Sequence, residues 1–397
     1  MMSKPTKSNL LGDRAQILVE RALSEFRSGR PIVITSGGDA ITALPVDGMT
    51  EAMLAQFRLL SQPSRPFLLI TARRARALGL KASGHAGIAL PDLCSLGEIF
   101  SLASATQVSR QFDVVPAGAS ASAGAAIQLA KYAERLPALL IGDGNSASVR
   151  NCEPPLVSVP AKGVAHYRRA SAAALSFAAE ATIPLSGFSA RFVVFRDGGG
   201  STPLAVIVGS PDQTQPVPIR LHSACLTGDV FGSRRCDCGD QLRLALAQLA
   251  EHGGGIVLYL EQEGRGLGLV NKIRTYQLQD GGLDTIDANS VIGFDDDERD
   301  YGIAVRMLQM LGCARVRLMT NNPSKLDGLF RGGIDVVGRV PLYGPINADN
   351  RRYLAAKATR AGHQLDHVLR ALAESGEYVD GPSAGPSAPM RLERRPR

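Results

Sequence analysis

The stretch RLHSACLTGDVFGSRRCDCGDQ, from Arg220 to Gln241, constrains the fold more than any other segment, because it sets three of the six cysteines in a C-x10-C-x-C pattern. Cys225, Cys236 and Cys238 must meet at one point if they share a metal. Three thiolates with a free fourth position suit zinc in a catalytic role, whereas structural zinc is usually closed by four protein ligands. Gly228, Gly232 and Gly239 let the backbone turn tightly around a small centre. Arg220, Arg234, Arg235 and Gln241 offer donors of the kind that phosphates and purine edges accept. Two plainer alternatives are three core cysteines, since free Cys is commonly buried, and a structural zinc closed by His222. Against the first, the flanking residues are Arg, Asp and Gly rather than apolar.

At 397 residues the chain is long enough for about two domains, and 45% hydrophobic with 20% charged residues is a globular composition. No run of 18 apolar residues marks a membrane helix; the Ala-rich run from Ala170 to Ala181 is interrupted by Glu180. MMSKPTKSNLLGDRAQ lacks the apolar core of a signal peptide. Six cysteines without a paired framework are those of a protein in a reducing cytoplasm. The net charge of +7 fits a nucleic acid or a phosphorylated small substrate equally. Residues 1–12 and the basic, Gly/Pro/Ser-rich tail 373–397 read as disordered ends.

Between them the spacing predicts an alternating α/β rhythm: helices near 13–28, 50–60, 72–80 and 125–135, with strands at 31–35, 66–71 and 137–141. This first unit, 13–182, is poor in chemistry; the Gly pair in TSGGDA is a turn signal, and His85 and His166 have no companion at ligand spacing. From Arg21 to Asp143 the order of elements resembles 3,4-dihydroxy-2-butanone-4-phosphate synthase. That resemblance implies an acidic, magnesium-binding loop after the first strand and a His-Thr-Glu run opening a later helix. The corresponding stretches here are TSGGDAITALPVDG, with only Asp39 and Asp47, and Ser122, Ala123 and Gly124. Magnesium needs carboxylate oxygens and proton abstraction needs a base, so the resemblance implies a domain that keeps the fold and has lost the reaction.

The second unit, 183–372, opens with the strands ARFVVFRD and PLAVIVGS around a Gly-rich turn. Strands at 218–222, 256–260 and 316–320 and helices at 241–252 and 301–311 follow. EQEGRGLGLVNKIRTYQLQD places Glu263, Gly264 and Arg265 at a strand-to-helix turn, where helix N–H groups favour an anion, with Lys272 and Arg274 beyond. DDDERD embeds Arg299 among carboxylates able to orient its guanidinium. TNNPSK puts Thr320 and Lys325 where a ligand meets the carboxyl edge of a sheet.

HSACLTGDVFGSRRCDCGDQ, QEGRGLGLVNKIRTYQLQD, DDERDYG and LMTNNPSK together resemble GTP cyclohydrolase II, over about 185 residues from Ile183 to roughly Leu369. The fold class implied is α/β (α+β), in two domains: a degenerate synthase-like α/β domain, then a cyclohydrolase-like zinc domain. The resemblance implies opening of the GTP imidazole ring with release of formate and pyrophosphate, giving the diaminopyrimidine from which riboflavin is built. It implies zinc on Cys225, Cys236 and Cys238, magnesium with the phosphates, and a homodimer. GTP is placed against Arg220, Leu221, His222, Ser223, Ala224, Gln241, Glu263, Gly264, Arg265, Thr285, Thr320 and Lys325. Asp297 matches the proposed general base, Arg299 the proposed nucleophile at phosphorus, and Tyr276 the tyrosine assisting ring opening. An arginine is rarely deprotonated, so an electrostatic clamp on the phosphates suits Arg299 better. Ala224 departs from the family, which usually has Glu there and so a carboxylate for the guanine edge.

Competing functions are a bifunctional enzyme carrying both riboflavin-precursor activities and a non-catalytic GTP-binding scaffold. The sparse acids at 39–47 disfavour the former; the co-occurrence of Cys225, Cys236, Cys238, Tyr276, Asp297 and Arg299 disfavours the latter. Nucleic-acid binding would want a four-ligand zinc and stacking aromatics, and the chain has 5% aromatics and no Trp.

Overall fold

The computed structural model describes residues 12–108, 112–115, 120–360, 362–365 and 370. Apart from Gly12, the ends at 1–12 and 373–397 lie outside the described residues. Two seven-stranded mixed sheets organise the chain. The first comprises β1 (Ile32–Ser36), β2 (Asp39–Pro45), β3 (Phe67–Ile70), β4 (Ala86–Ala89), β5 (Val114–Val115), β6 (Ala138–Asp143) and β7 (Ser158–Pro160), in the order β5-β4-β3-β6-β2-β1-β7. The second comprises β8 (Ser176–Leu185), β9 (Phe188–Arg196), β10 (Leu204–Gly209), β11 (Val217–Ser223), β12 (Gly254–Leu260), β13 (Arg315–Met319) and β14 (Asp335–Val340), in the order β14-β13-β11-β12-β10-β9-β8.

In the first unit, helices cover both sheet faces. Helix Arg14–Arg27 starts because the Asp13 carboxylate accepts from the Ala15 and Gln16 N–H groups. Its Val19, Ala22, Leu23 and Phe26 form one buried stripe, packed with helices Ala121–Tyr132 and Ala161–Ala173 in one core cluster. The predicted helix near 125 begins earlier, at Ala121, because Ser120 caps it through the Ala123 N–H. Helices Glu51–Leu60 and Leu96–Ser104 fill the opposite face.

The Ala-rich run at 170–181 does not continue as helix. Its helix stops at Ala173 and β8 runs antiparallel along β9, with Thr182 opposite Arg191. Hairpin pairing with β9 overrides the helical preference of alanine here. In the second sheet β8, β9, β10 and β12 form an antiparallel part, while β12, β11, β13 and β14 are parallel neighbours. Parallel strands point their carboxyl ends to one edge, where ligands collect in such sheets.

The two units are docked through buried polar contacts. Arg74, 1% exposed, donates to the carbonyls of Leu102, Ser101 and Val291, and Thr71 donates to the Gly293 carbonyl at 2.8 Å. Asp47 receives both Nη atoms of Arg274, at 2.5 and 3.1 Å. Leu136 packs with Leu267, Ile292 and Phe294. Glu134, with φ 57°, fits against Gly268, with φ 84°; a Cβ at Gly268 would lie 2.5 Å from Glu134 Oε2. Gly268→Ala is therefore expected to cost about 1–3 kcal/mol from overpacking, beyond the backbone strain that Gly282→Ala (φ 99°, open space) would incur alone. Thermal melts would show the larger drop for Gly268→Ala; equal drops would mean that the close approach is not felt.

Candidate active site

The carboxyl ends of β11, β12 and β13 deliver three loops to one place. The loop after β11 is pinned to the end of β12 by Ala224 N–H donating to the Leu260 carbonyl at 2.8 Å. It leads into Cys225, while Cys236 and Cys238 arrive at the start of helix Cys238–Glu251. Their sulfurs lie within 4.8 Å of one another. Two glycines make that crowding possible: a Cβ at Gly228 would lie 2.9 Å from Cys236 Sγ, and one at Gly239 only 2.1 Å from the Gly228 carbonyl oxygen. Gly232 serves a turn, with φ 64° and open space around it.

The donor set fits zinc. Hydrogen bonds from Cys236 and Cys238, followed by the Lys272 ammonium 3.0 Å away, hold the Cys225 thiol far below the usual thiol range. The same crowding pushes the other two thiols up, led by Cys225 in each case. Three adjacent thiols cannot all ionise unless a cation sits among them, which is what a thiolate-bound dication supplies. His222 does not join them: its Nε2 lies 3.1 Å from both Asp229 oxygens, and Asp229 also accepts from Tyr259 OH at 2.9 Å and Cys225 N–H at 3.0 Å. Among the described residues, the cysteine trio is the cluster able to hold a metal.

Beside the sulfurs is a cavity of about 100 Å³. Arg220, 5% exposed, donates to the Met319 carbonyl at 3.0 Å and to Gln241 Oε1 at 2.5 Å, leaving its Nε without a partner. Burial lowers its pKa to about 10. Lys325 donates to the Leu221 carbonyl at 2.6 Å; burial, then the charges of Arg220 and Arg299, press its pKa well down. Arg299 donates to both oxygens of Asp297, at 2.7 and 2.5 Å. Burial disfavours its charge, but the Asp297 hydrogen bond prevails and keeps it cationic. For Asp297, burial raises the pKa while the bonds and charge of Arg299 outweigh it and hold the carboxyl below its usual range. Arg220, buried with its Nε unpartnered, beside the cationic Arg299 makes this a place for an anion.

The loop after β12 is built for contact. Gly264 and Arg265 both lie in the left-handed region, at φ 61° and 64°, and a non-glycine there signals a local constraint. The Gly-x-Gly pattern divides its work: Gly264 lines the cavity, Gly266 lets the Glu298 backbone approach to 3.0 Å of a would-be Cβ, and Gly268 admits Glu134. Arg274, read from sequence beside Arg265 and Lys272 as phosphate-facing, instead pairs with Asp47. Lys272 bridges Cys225 Sγ, Thr227 Oγ1 and Glu263 Oε1. The Tyr276 ring lies under Arg235, 4.5 Å from its guanidinium.

The cavity thus brings together Arg220, His222, Ser223, Ala224, Gln241, Glu263, Gly264, Arg265, Tyr276, Arg299, Thr320 and Lys325 with the three cysteines. Leu221 is 0% exposed and offers only its carbonyl, to Lys325. Thr285 opens helix Thr285–Val291, accepts from Gln279 at 3.4 Å, and is not part of the lining. Asp297 stands behind Arg299. Sequence reasoning missed Asp237, Tyr353, Lys357 and His363. Lys357 donates to Asp237 at 2.8 Å and lies 4.2 Å from the Tyr353 ring centre. The Tyr353/Lys357 spacing of four puts both on one helix face, a signal to which no motif draws attention.

A family model described as GTP cyclohydrolase II matches residues 176–341. A GTP cyclohydrolase-2 of Azospirillum brasilense is 42% identical over 380 residues, 91% of this chain and 98% of that protein. A GTP cyclohydrolase-2 of Xylella fastidiosa (strain 9a5c) is 37% identical over 393 residues, covering 96% of each. A riboflavin biosynthesis protein RibBA of Bacillus cytotoxicus is 52% identical over 163 residues, 41% of each chain. With near-full-length relatives of that name and a three-thiol site at the carboxyl edge of its second sheet, the chain belongs to the GTP cyclohydrolase II family of enzymes.

Proposed function

We propose that this enzyme hydrolyses GTP to a diaminopyrimidine with release of formate and pyrophosphate, as the first step of riboflavin synthesis. The observation that carries the proposal is the meeting of three thiols with the buried, incompletely partnered Arg220 and the cationic Arg299 in one cavity. Cys225, Cys236 and Cys238 would hold one zinc per chain, whose Lewis acidity makes a water nucleophilic near neutral pH. Arg220 and Lys325 hold the triphosphate, and Gln241 orients Arg220 through its side-chain oxygen. Arg299 acts as a clamp on phosphate charge: kept cationic by Asp297, it has no free pair with which to attack phosphorus. Asp297, held ionised, is suited to take a proton. Tyr276 stays a protonated phenol, burial pushing its pKa up, and can donate as the ring opens. Ala224 brings no carboxylate to the guanine edge, a duty left to Glu263, Gln241 or the neighbouring Asn321 and Asn322 in the same lining.

Magnesium on the phosphates, a homodimer and a cytoplasmic site complete the proposal; the free cysteines agree with a reducing compartment. No helix among the described residues is long and apolar enough to cross a membrane. The division into 13–182 and 183–372 belongs to it as well, with β8 straddling the boundary. The first unit is proposed to carry a synthase-like fold without synthase chemistry. Asp39 is exposed, Asp47 is engaged by Arg274, and Ser122 and Gly124 occupy the first turn of their helix.

Zinc-loaded protein given GTP and magnesium should release formate and pyrophosphate in equal amounts. Cys236→Ser should lose both the bound zinc, read by metal analysis, and formate release; pyrophosphate without formate from the parent enzyme would refute ring opening. Asp297→Asn should lower kcat by roughly 100-fold or more, the usual weight of a general base, with zinc content unchanged. Arg299→Lys keeps the charge and loses the two-pronged geometry, so it should fall mainly in kcat; a change confined to KM would argue for uniform binding instead.

A further inference from the structure

Asp297 and Arg299, the proposed base and phosphate clamp, belong to one loop, 295–300, which holds five carboxylates around one guanidinium. Sequence spacing alone does not single out Asp297, since Asp295, Asp296, Glu298 and Asp300 all lie within four residues of Arg299; one local bond, from the Arg299 N–H to Asp297 Oδ1 at 3.1 Å, favours it. Arg299 closes a two-pronged pair with Asp297, and its competitors are occupied, three of them from outside the loop.

The occupying groups come from the first unit. Arg73, in the helix Ala72–Ala77 that follows β3, donates its Nε to Asp295 at 2.9 Å and both Nη atoms to the two Asp296 oxygens, at 3.0 and 3.1 Å. Lys131, in the last turn of helix Ala121–Tyr132, donates to Asp295 at 2.9 Å and to Glu298 at 2.5 Å. Lys131 and Glu298 side chains are only 9% and 8% exposed, so salt screens them little. Asp300 is turned to the Gly302 N–H. Two further contacts fix the same seam: Arg168 donates to the Glu298 carbonyl at 2.8 Å, and Arg274 pairs with Asp47.

Resting on the roles proposed for Asp297 and Arg299, we infer that Arg73 and Lys131 are positioning residues for the cyclohydrolase reaction. The first domain occupies the flanking carboxylates, so that Arg299 has one partner, Asp297, and one orientation at the phosphate cavity. A domain short of its own reactive residues thereby has a catalytic consequence. It acts through electrostatic competition at a loop that it touches, without contacting substrate. Removing the cations frees Asp295, Asp296 and Glu298 to repel one another and to compete for Arg299, whose planar fork accepts any carboxylate. GTP binding through Arg220 and Lys325 is untouched, because neither contacts the loop's flanking acids.

The test is steady-state formate release by the full-length, zinc-loaded enzyme. Arg73→Ala and Lys131→Met together should lower kcat at least tenfold, with KM for GTP within about twofold, the pattern of an interaction made only in the transition state. Metal analysis should still find the parent zinc content. Restoration separates positioning from mere support. Adding Asp295→Asn and Asp296→Asn to Arg73→Ala should return kcat to within about threefold of the parent, because the competitors are gone although the ion pair stays broken. Lys131→Met leaves Glu298 buried and unpaired, which threatens folding; Lys131→Met with Glu298→Gln removes both charges and should retain near-parent kcat. An unchanged kcat in the Arg73/Lys131 double variant, or a loss that the Asn and Gln changes do not reverse, overturns the inference. Asp297→Asn and Arg299→Lys, assayed in parallel, keep the two levels apart. Parent-like rates for those two would sink the reading of the loop itself. Loss there combined with parent-like Arg73 and Lys131 variants would sink only the role of the first domain.

Discussion

Five carboxylates crowded into the six residues from Asp295 to Asp300 cannot settle by themselves, and their neutralisation organises much of the molecule. Like charges at such spacing repel, and each desolvated carboxylate needs a partner. Arg299 supplies one from within the loop; Arg73 and Lys131 supply others from another domain. The loop backbone is held too: Glu298 N–H donates to the Arg265 carbonyl at 3.0 Å, and the Gln262 side chain reaches the Asp300 carbonyl. Loop, strand-to-helix turn and first domain therefore form one electrostatic unit. The exposed members of this lattice contribute little individually. The buried Lys131–Glu298 pair is different, because deleting one partner would strand the other.

The second sheet supplies the complementary constraint. Its three parallel neighbours β12, β11 and β13 bring Glu263, Cys225 and Thr320 to one edge from positions far apart in sequence. Close packing around the sulfurs then demands glycine at 228 and 239, the approach of the Glu298 backbone demands it at 266, and close domain packing demands it at 268. The cavity attracts anions because Arg220 is buried there with its Nε unpartnered and Arg299 stays cationic beside it, while an anion would also draw a proton onto Lys325. An anionic substrate would complete that balance. This is ordinary stabilisation by preorganised charge, and it requires no unusual chemistry of arginine.

Much of this is legible in the sequence, for identifiable reasons. The cysteine trio, TNNPSK and the Arg299-bearing acidic run are short segments whose residue types already state their chemistry. The buried strands at β1, β3, β6, β11, β12 and β13 are apolar enough to be read locally. β8 is not, because its Ala-rich stretch becomes a strand only through pairing with β9. Arg274 escapes a correct reading for a related reason: its partner, Asp47, is 227 residues away, and sequence alone offers a cation no address. Asp47 itself reads in sequence as a remnant of a magnesium site, whereas it serves as an anchor between domains. Tyr353, Lys357 and His363 give no signal because they reach the cavity from a helix and its exit that carry no motif. Burial and the charge of Lys357 depress the His363 pKa to about 2, so this ring is a neutral part of the cavity wall.

The claim that the first domain holds the Asp297–Arg299 pair in place is tested most directly by amide hydrogen exchange. The parent is compared with the Arg73→Ala, Lys131→Met double variant, both zinc-loaded and without GTP. The account predicts faster exchange confined to residues 295–300 and the adjoining turn at 263–268, with β11 and β12 as protected as in the parent. Unchanged protection across 295–300 would contradict it, since the loop would then be holding itself.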